Sequence, residues 1–171
     1  MTRQEFIRTI QAAQRGDRRH FAALYDEYFG KLFATAFHIV RDRDAAYDIA
    51  SDVVLKLMYF RGDASSIENH VGYMITMVRN RAKDYISKKK REVPSGDIPL
   101  RNEAAASDML WLDDILMILA EDEKDIFFLH YVWDLPLRKV AERINLTYGA
   151  VKARKVKISR KLKALYREKQ K

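Results

Sequence analysis

The sequence predicts an all-α protein of two small helical domains, the second of them a helix-turn-helix. Two observations carry this. Apolar residues recur at i, i+3, i+4 and i+7 in segment after segment, and no stretch alternates with the period of a strand. Between the helical stretches lies EVPSGDIPLRNEAAA, residues 92–106, which holds two of the three prolines and no helical period until its alanines. Such composition reads as a linker. The expected division is therefore a helical domain over 1–91, a linker over 92–106 and a second domain over 107–171.

The elements follow in order. Thr2-x-x-Glu5 is a capping box, and Phe6, Ile7 and Ile10 form the inner face of a first helix that Gly16 ends. Asp17 caps a longer helix carrying Phe21, Leu24, Tyr25, Tyr28, Leu32, Ala36 and Val40 on one side. These aromatics are expected in the core and not on a base-stacking platform. Asp42-Arg43-Asp44 breaks the pattern before a third helix, AAYDIASDVVLKLMYF, whose apolar stripe is Ile49, Val53, Val54, Leu57 and Met58. Asp48, Asp52 and Lys56, spaced by four, form one polar row on it. Arg61 to Ser66 is a loop. A fourth helix from about Glu68 to Arg91 turns Val71, Met74, Ile75, Val78, Ala82 and Tyr85 inward. Its second half is basic: Arg79, Arg81, Lys83, Lys88, Lys89, Lys90 and Arg91 against Asp84, a net +6.

After the linker, Ser107 or Asp108 is expected to begin a helix with Leu110, Ile115, Ile118 and Leu119 inward, and Asp122 to cap the next, EKDIFFLHYVW. Glu103 to Asp125 holds eight acids and one lysine, a net −7. Pro136 falls at the first turn of another helix, where its missing N–H costs little. That helix carries Leu137, Val140, Ala141 and Ile144. Asn145 can take the left-handed conformation that ends it, and Thr147 sits where an N-cap belongs. The helix that Thr147 opens carries Val151, Ile158, Leu162 and Leu165 among dense lysine and arginine. A helix, a short turn and a basic helix form the helix-turn-helix pattern.

Charge gives that pattern its meaning. From Lys152 to Lys171 there are ten Lys/Arg against Glu168 alone, a net +9, while the whole chain carries +8. The cationic excess therefore sits on the element that would enter a major groove, and a nucleic acid is the expected partner.

Other chemistry finds little support. The chain has no cysteine, which excludes a disulfide scaffold, a thiolate metal site and a cysteine nucleophile, and fits a reducing compartment. His20, His38, His70 and His130 lack the spacing of ligands, and no phosphate-binding glycine loop or nucleophile elbow occurs. The carboxylate pair Asp113-Asp114 has no basic partner motif beside it. No apolar run approaches the roughly 20 residues of a membrane span, and Met1-Thr2-Arg3 opens a polar segment. A soluble, cytoplasmic, non-enzymatic protein without metal or cofactor is expected.

Two basic helices in order, one in each half of the chain, resemble a known family, the sigma factors of bacterial RNA polymerase. In length the chain is most similar to the small two-domain group called extracytoplasmic-function (ECF) sigma factors. Three blocks carry the resemblance. Asp44 to Leu57, DAAYDIASDVVLKL, looks like the family's core-binding helix. Tyr73 to Arg91, with Arg79-Asn80 and then Asp84, looks like the helix that reads and opens the minus-ten element. Gly149-Ala150-Val151-Lys152-Ala153-Arg154 looks like the Gly-Thr-Val-Lys-Ser-Arg signature of the helix that reads the minus-thirty-five element. The departures are Tyr73 for a usual Trp, Ser87-Lys88 for an Arg-rich pair, Ala150 and Ala153 for hydroxyl residues, and Arg138-Lys139 for acids.

The resemblance implies partners and sites. Asp48, Ile49, Asp52, Val53 and Lys56 would dock on core RNA polymerase, at its clamp coiled coil, with a further contact to the flap. Arg61, Tyr73, Arg79, Asn80, Lys83, Asp84 and Lys88 would meet minus-ten promoter DNA, with a flipped base at the Arg61 to Ser66 loop. Thr147, Tyr148, Gly149, Lys152, Arg154 and Lys155 would meet the minus-thirty-five element. An anti-sigma factor is a further partner where one exists. Two other readings share the pattern: a helix-turn-helix regulator that binds duplex DNA without polymerase, and a sigma-like polymerase-binding module that directs no initiation.

Overall fold

The computed structural model describes residues 1–92 and 110–168. All the elements among the described residues are helical. The chain divides into two compact units, Met1–Ala105 and Ala106–Lys171. The expected linker, apart from its first residue, and the expected helix start at Ser107 or Asp108 lie outside the described residues.

The first unit packs four helices: α1 (Arg3–Gln14), α2 (Arg18–Val40), α3 (Arg43–Met58) and α4 (His70–Glu92), with a short 3₁₀ turn at Ala64–Ser66. Polar caps set the breaks. Thr2 and Glu5 close the capping box of α1, and Gly16, at φ +86°, takes the left-handed turn before Asp17 caps α2. Arg41 adopts φ 54° to end α2, and Asp42 accepts the Ala45 N–H to start α3. Helix α4 begins later than expected, because Asn69 accepts the Gly72 N–H at 2.8 Å and acts as its cap.

The core of this unit joins Phe6 and Ile10 of α1, Leu24, Tyr28, Leu32 and Ala36 of α2, Ile49, Val53, Val54 and Leu57 of α3, and Met74, Ile75, Val78 and Ala82 of α4. Two expectations need correction here. Ile49 and Val53, expected at a partner interface, are 7% and 0% exposed. They belong to the stripe that packs α3 against its own unit and hold the helix from within. Tyr25, expected inward, is exposed and stacks on Phe29 with ring centroids 4.4 Å apart, while Tyr47 of α3 meets Phe29 edge-on at 5.2 Å.

The second unit comprises α5 (Leu110–Ile118), α6 (Glu121–Ile126) running directly into a π-helical turn at Phe127–Val132, α7 (Leu137–Ile144) and α8 (Tyr148–Glu168). On α5, Leu112 and Leu116 are buried, as is Leu119 just beyond it, and Ile115 and Ile118 lie at the margin, so the inner stripe is offset from the expected one. Asp122 is not the cap of α6. The Ala120 N–H donates to the Glu123 carboxylate at 2.9 Å instead, leaving Asp122 pointing from the first turn. Pro136 stands immediately before α7, one residue outside the expected first turn.

Candidate nucleic-acid and protein interfaces

The helix-turn-helix forms as its residues dictate. Asn145 takes φ 55°, ψ 44°, and the Leu146 N–H returns to the Ala141 carbonyl at 3.0 Å, closing the end of α7. Thr147 accepts the Ala150 N–H at 3.2 Å and opens α8. Val140 and Ala141 of α7 pack in the same core as Val151 and Ile158 of α8. With Val151 and Ile158 inward, the opposite arc of α8 presents Gly149, Lys152, Ala153, Val156, Arg160 and Lys163, all exposed. An added Cβ at Gly149 would meet nothing within 4 Å, so no neighbour in the unit requires glycine there. Tyr148 is exposed beneath the Arg138 guanidinium, 5.0 Å from the ring centre.

Not every expected reader on α8 is free. The Arg154 guanidinium donates to Asp122 of α6 at 2.7 Å and to the Ala150 carbonyl at 3.5 Å. That hydrogen bond, foremost, holds the Asp122 carboxyl below its ordinary value. Lys161 reaches the buried Glu123 at 2.6 Å. Burial pushes the Glu123 carboxyl up, but Lys161 and the Ala120 N–H outweigh it and the group ends lowered. Lys155 is half-buried beside the core face. Lys152 thus faces outward, while Arg154 is committed to α6. The helix-turn-helix pattern does not single out Val156, an apolar residue exposed at 44% in the middle of a cationic arc. Its outward register, one turn past Lys152, was the signal available.

On α4, Arg79, Asn80, Lys83, Asp84 and Lys88 are exposed, as expected, and Arg61 is exposed in the loop before it. Tyr73 is half-buried and meets Phe60 edge-on at 6.4 Å. Two of the helix's seven basic residues turn inward. Arg81 pairs with Asp52 of α3 at 3.6 Å, and Lys89 reaches Asp42 at 3.4 Å beside the Tyr85 hydroxyl, which itself donates to Asp42 at 2.8 Å. Burial raises the Asp42 carboxyl, yet the Ala45 N–H, Tyr85 and Lys89 together bring it below the ordinary value.

On α3, Asp48, Asp52 and Lys56 are exposed as one row, and the structure adds Leu55 and Tyr59, exposed at 44% and 71%. Asp48, Asp52, Leu55 and Tyr59 fall within about 60° of one another around the helix. Along this strip the two carboxylates lie towards the N-terminal end of the helix and the two apolar side chains towards its C-terminal end. Where the end of α1, the start of α2 and the end of α3 meet, Gln14, Phe21, Tyr59, Phe60 and Arg61 line an open cleft of about 930 Å³. Among the described residues, no group of three or more His, Asp or Glu is placed to hold a metal ion, and no helix is long and apolar enough to cross a membrane.

These surfaces coincide with two family models. Residues 24–92 match sigma-70 region 2, and residues 109–162 match sigma-70 region 4. The chain is also similar to the RNA polymerase sigma-H factor of Pseudomonas aeruginosa, 26% identical over 102 residues, which covers 57% of this chain and 51% of that protein. It therefore spans about half the length of that relative. A solved structure of an RsbN–BldN complex aligns over 91% of this chain and 98% of its own, at 18% identity and a TM-score of 0.38.

Proposed function

We propose, for a chain that belongs to the sigma-70 family by its region 2 and region 4, that it binds core RNA polymerase and directs promoter-specific transcription initiation as a cytoplasmic sigma factor of the ECF group. The observation that carries this reading is the order of the two regions together with exposed Lys and Arg side chains along one side of a helix of each. An initiation factor needs no reacting group of its own, since the polymerase supplies the chemistry.

The roles divide by surface. The exposed row Asp48, Asp52 and Lys56, with Leu55 and Tyr59, would dock on the clamp coiled coil of the polymerase, and the second unit would also touch the flap. The outward side of α4, with Tyr73, Arg79, Asn80, Lys83, Asp84 and Lys88, would hold the opened minus-ten strand, by phosphate neutralisation and by stacking. Arg61 and the loop after it would take a flipped base. The start of α8, with Thr147, Tyr148, Gly149 and Lys152, would sit in the major groove of the minus-thirty-five element. Arg154 would join them only after leaving Asp122, and Lys155 would reach phosphate from the edge of the helix. An anti-sigma factor, where one exists, would compete for these same surfaces.

In vitro transcription with core polymerase and promoter fragments tests the reading. The expected result is a discrete start site that depends on this protein, lost when Asp48 and Leu55 are both replaced by Lys. Nanomolar duplex binding by the free protein, with no start directed by the holoenzyme, would instead establish the regulator.

A further inference from the structure

Helix α1 lies outside the region 2 match, which begins at residue 24, yet two of its side chains reach across to the loop between α3 and α4. Gln14, at its last turn, donates through Nε2 to the Phe60 carbonyl at 2.6 Å and the Gly62 carbonyl at 3.2 Å. Arg3, at its first turn, donates through Nε to the Ile67 carbonyl at 3.0 Å and through Nη2 to the Ser65 carbonyl at 2.8 Å. These donors meet the loop at its entry and at its exit. Between those ends the loop is braced from within: Asp63 accepts the Ser65 N–H at 2.8 Å, and the Ser66 hydroxyl donates to the Asp63 carbonyl at 2.7 Å.

The held backbone is also tight. A Cβ at Gly62 would stand 2.8 Å from the Phe60 ring. That same ring meets Tyr73 of α4 edge-on. A continuous line of contact therefore runs from Gln14 through the Phe60 carbonyl and ring to Tyr73, an aromatic on the side of α4 assigned to the opened strand. Side chains that hold backbone carbonyls at both ends of a loop fix where the loop's own groups stand, which is how a supporting shell sets the precision of a binding site.

We infer that Gln14 and Arg3 are positioning residues for promoter opening: α1 clamps the residue 60–67 loop at both ends and so sets Arg61 and Tyr73 against the unpaired strand. This rests on the proposed sigma-factor reading and adds to it a role for a helix outside the matched region.

The test uses holoenzyme reconstituted with the full chain, well below the melting temperature of every variant. Gln14→Glu keeps the side chain's size but faces two carbonyls with a carboxylate. Arg3→Ala removes the exit contact, and Arg3→Lys restores one donor there. Ile10→Val loosens the buried face of α1 without touching the loop. The readouts are permanganate reactivity of unpaired thymines at the downstream element and discrimination among variants of that element, beside upstream-element binding and holoenzyme assembly. Gln14→Glu and Arg3→Ala should each lower thymine reactivity about three- to tenfold and flatten the discrimination, with assembly and upstream binding unchanged and partial recovery in Arg3→Lys. Normal opening in both variants would overturn the inference, and so would an equal loss in Ile10→Val, which would show α1 to be structural only. If wild-type holoenzyme itself opens no promoter, it is the sigma-factor reading that fails.

Discussion

The two cationic helices differ in how they spend their charge. Helix α4 turns Arg81 and Lys89 inward, to Asp52 and Asp42, and shows the outside a mixed row of Arg79, Asn80, Lys83 and Asp84. Helix α8 binds Arg154 and Lys161 to consecutive acids of α6 and leaves an arc of Lys152, Val156, Arg160 and Lys163 whose polar members are all cations. A uniform cationic arc with one branched apolar residue fits the groove of an intact duplex, where phosphates position and a methyl group can be read. A row of mixed hydrogen-bonding groups near an aromatic fits bases that have left the stack.

The largest effect should come from breaking the inner side of α8. Ile158→Ala empties a fully buried site and should cost the second unit about 2–5 kcal/mol, seen as a lower melting temperature and loss of upstream-element binding. Val156→Ala, two residues earlier but exposed, should change stability by less than about 0.5 kcal/mol. It should instead weaken preference at thymine positions of the upstream element, at most by the roughly 1–3 kcal/mol a mismatched pair costs. Equal thymine preference in wild type and variant would remove Val156 from the groove.

Salt dependence sharpens the contrast further. Lys152→Ala should lower the slope of log affinity against log salt for holoenzyme on duplex by about one unit, whereas Arg81→Ala, whose guanidinium is engaged by Asp52, should leave that slope nearly unchanged. Acid should act on the α6–α8 ties. Asp122 and Glu123 both have lowered values in the folded unit, so their contribution is present above the ordinary carboxylate range, about pH 4, and is lost as pH falls through the folded values. Helicity followed during an acid titration should therefore fall less steeply in Glu123→Gln. The smallest effect is the coupling of Asp122 to Arg154. A double-mutant cycle on melting should give about 0.2–1 kcal/mol, as for other exposed pairs, and a larger value would mean that Arg154 cannot leave α6 to meet DNA.

Much of this was legible in the residues. Thr2, Asp17, Asn145 and Thr147 act where their side-chain chemistry placed them, because a cap is a local event and its signal is local. The apolar stripes located the helices for the same reason. Ile49 and Val53 lie inside and not at the surface because a stripe says that a helix has a buried arc, not how wide that arc is. Once α2 and α4 cover it, Leu55 and Tyr59 are the apolar residues left outside. Asp122 has the position of a cap because it precedes a helical run, but Glu123 supplies the reciprocal bond to the Ala120 N–H, and the Asp122 carboxylate accepts from Arg154 thirty-two residues on. The hold of α1 on the residue 60–67 loop joins positions 46 to 64 apart through side chain and backbone. No spacing rule announces such a bond.

The π-helical turn at Phe127–Val132 has a consequence for how this chain is set beside its relatives. Its wider winding lets Ile126, Phe127, Phe128 and Leu129 all be buried in succession, and it accommodates one more residue than an α-helical turn covering the same rise. The apolar i, i+3, i+4 phase read before Ile126 and the phase read after Trp133 are therefore out of step by one position. A relative lacking one residue here could keep every later contact by winding the segment as ordinary α-helix, so an alignment gap at this point would record a change of helical pitch and not the loss of a loop.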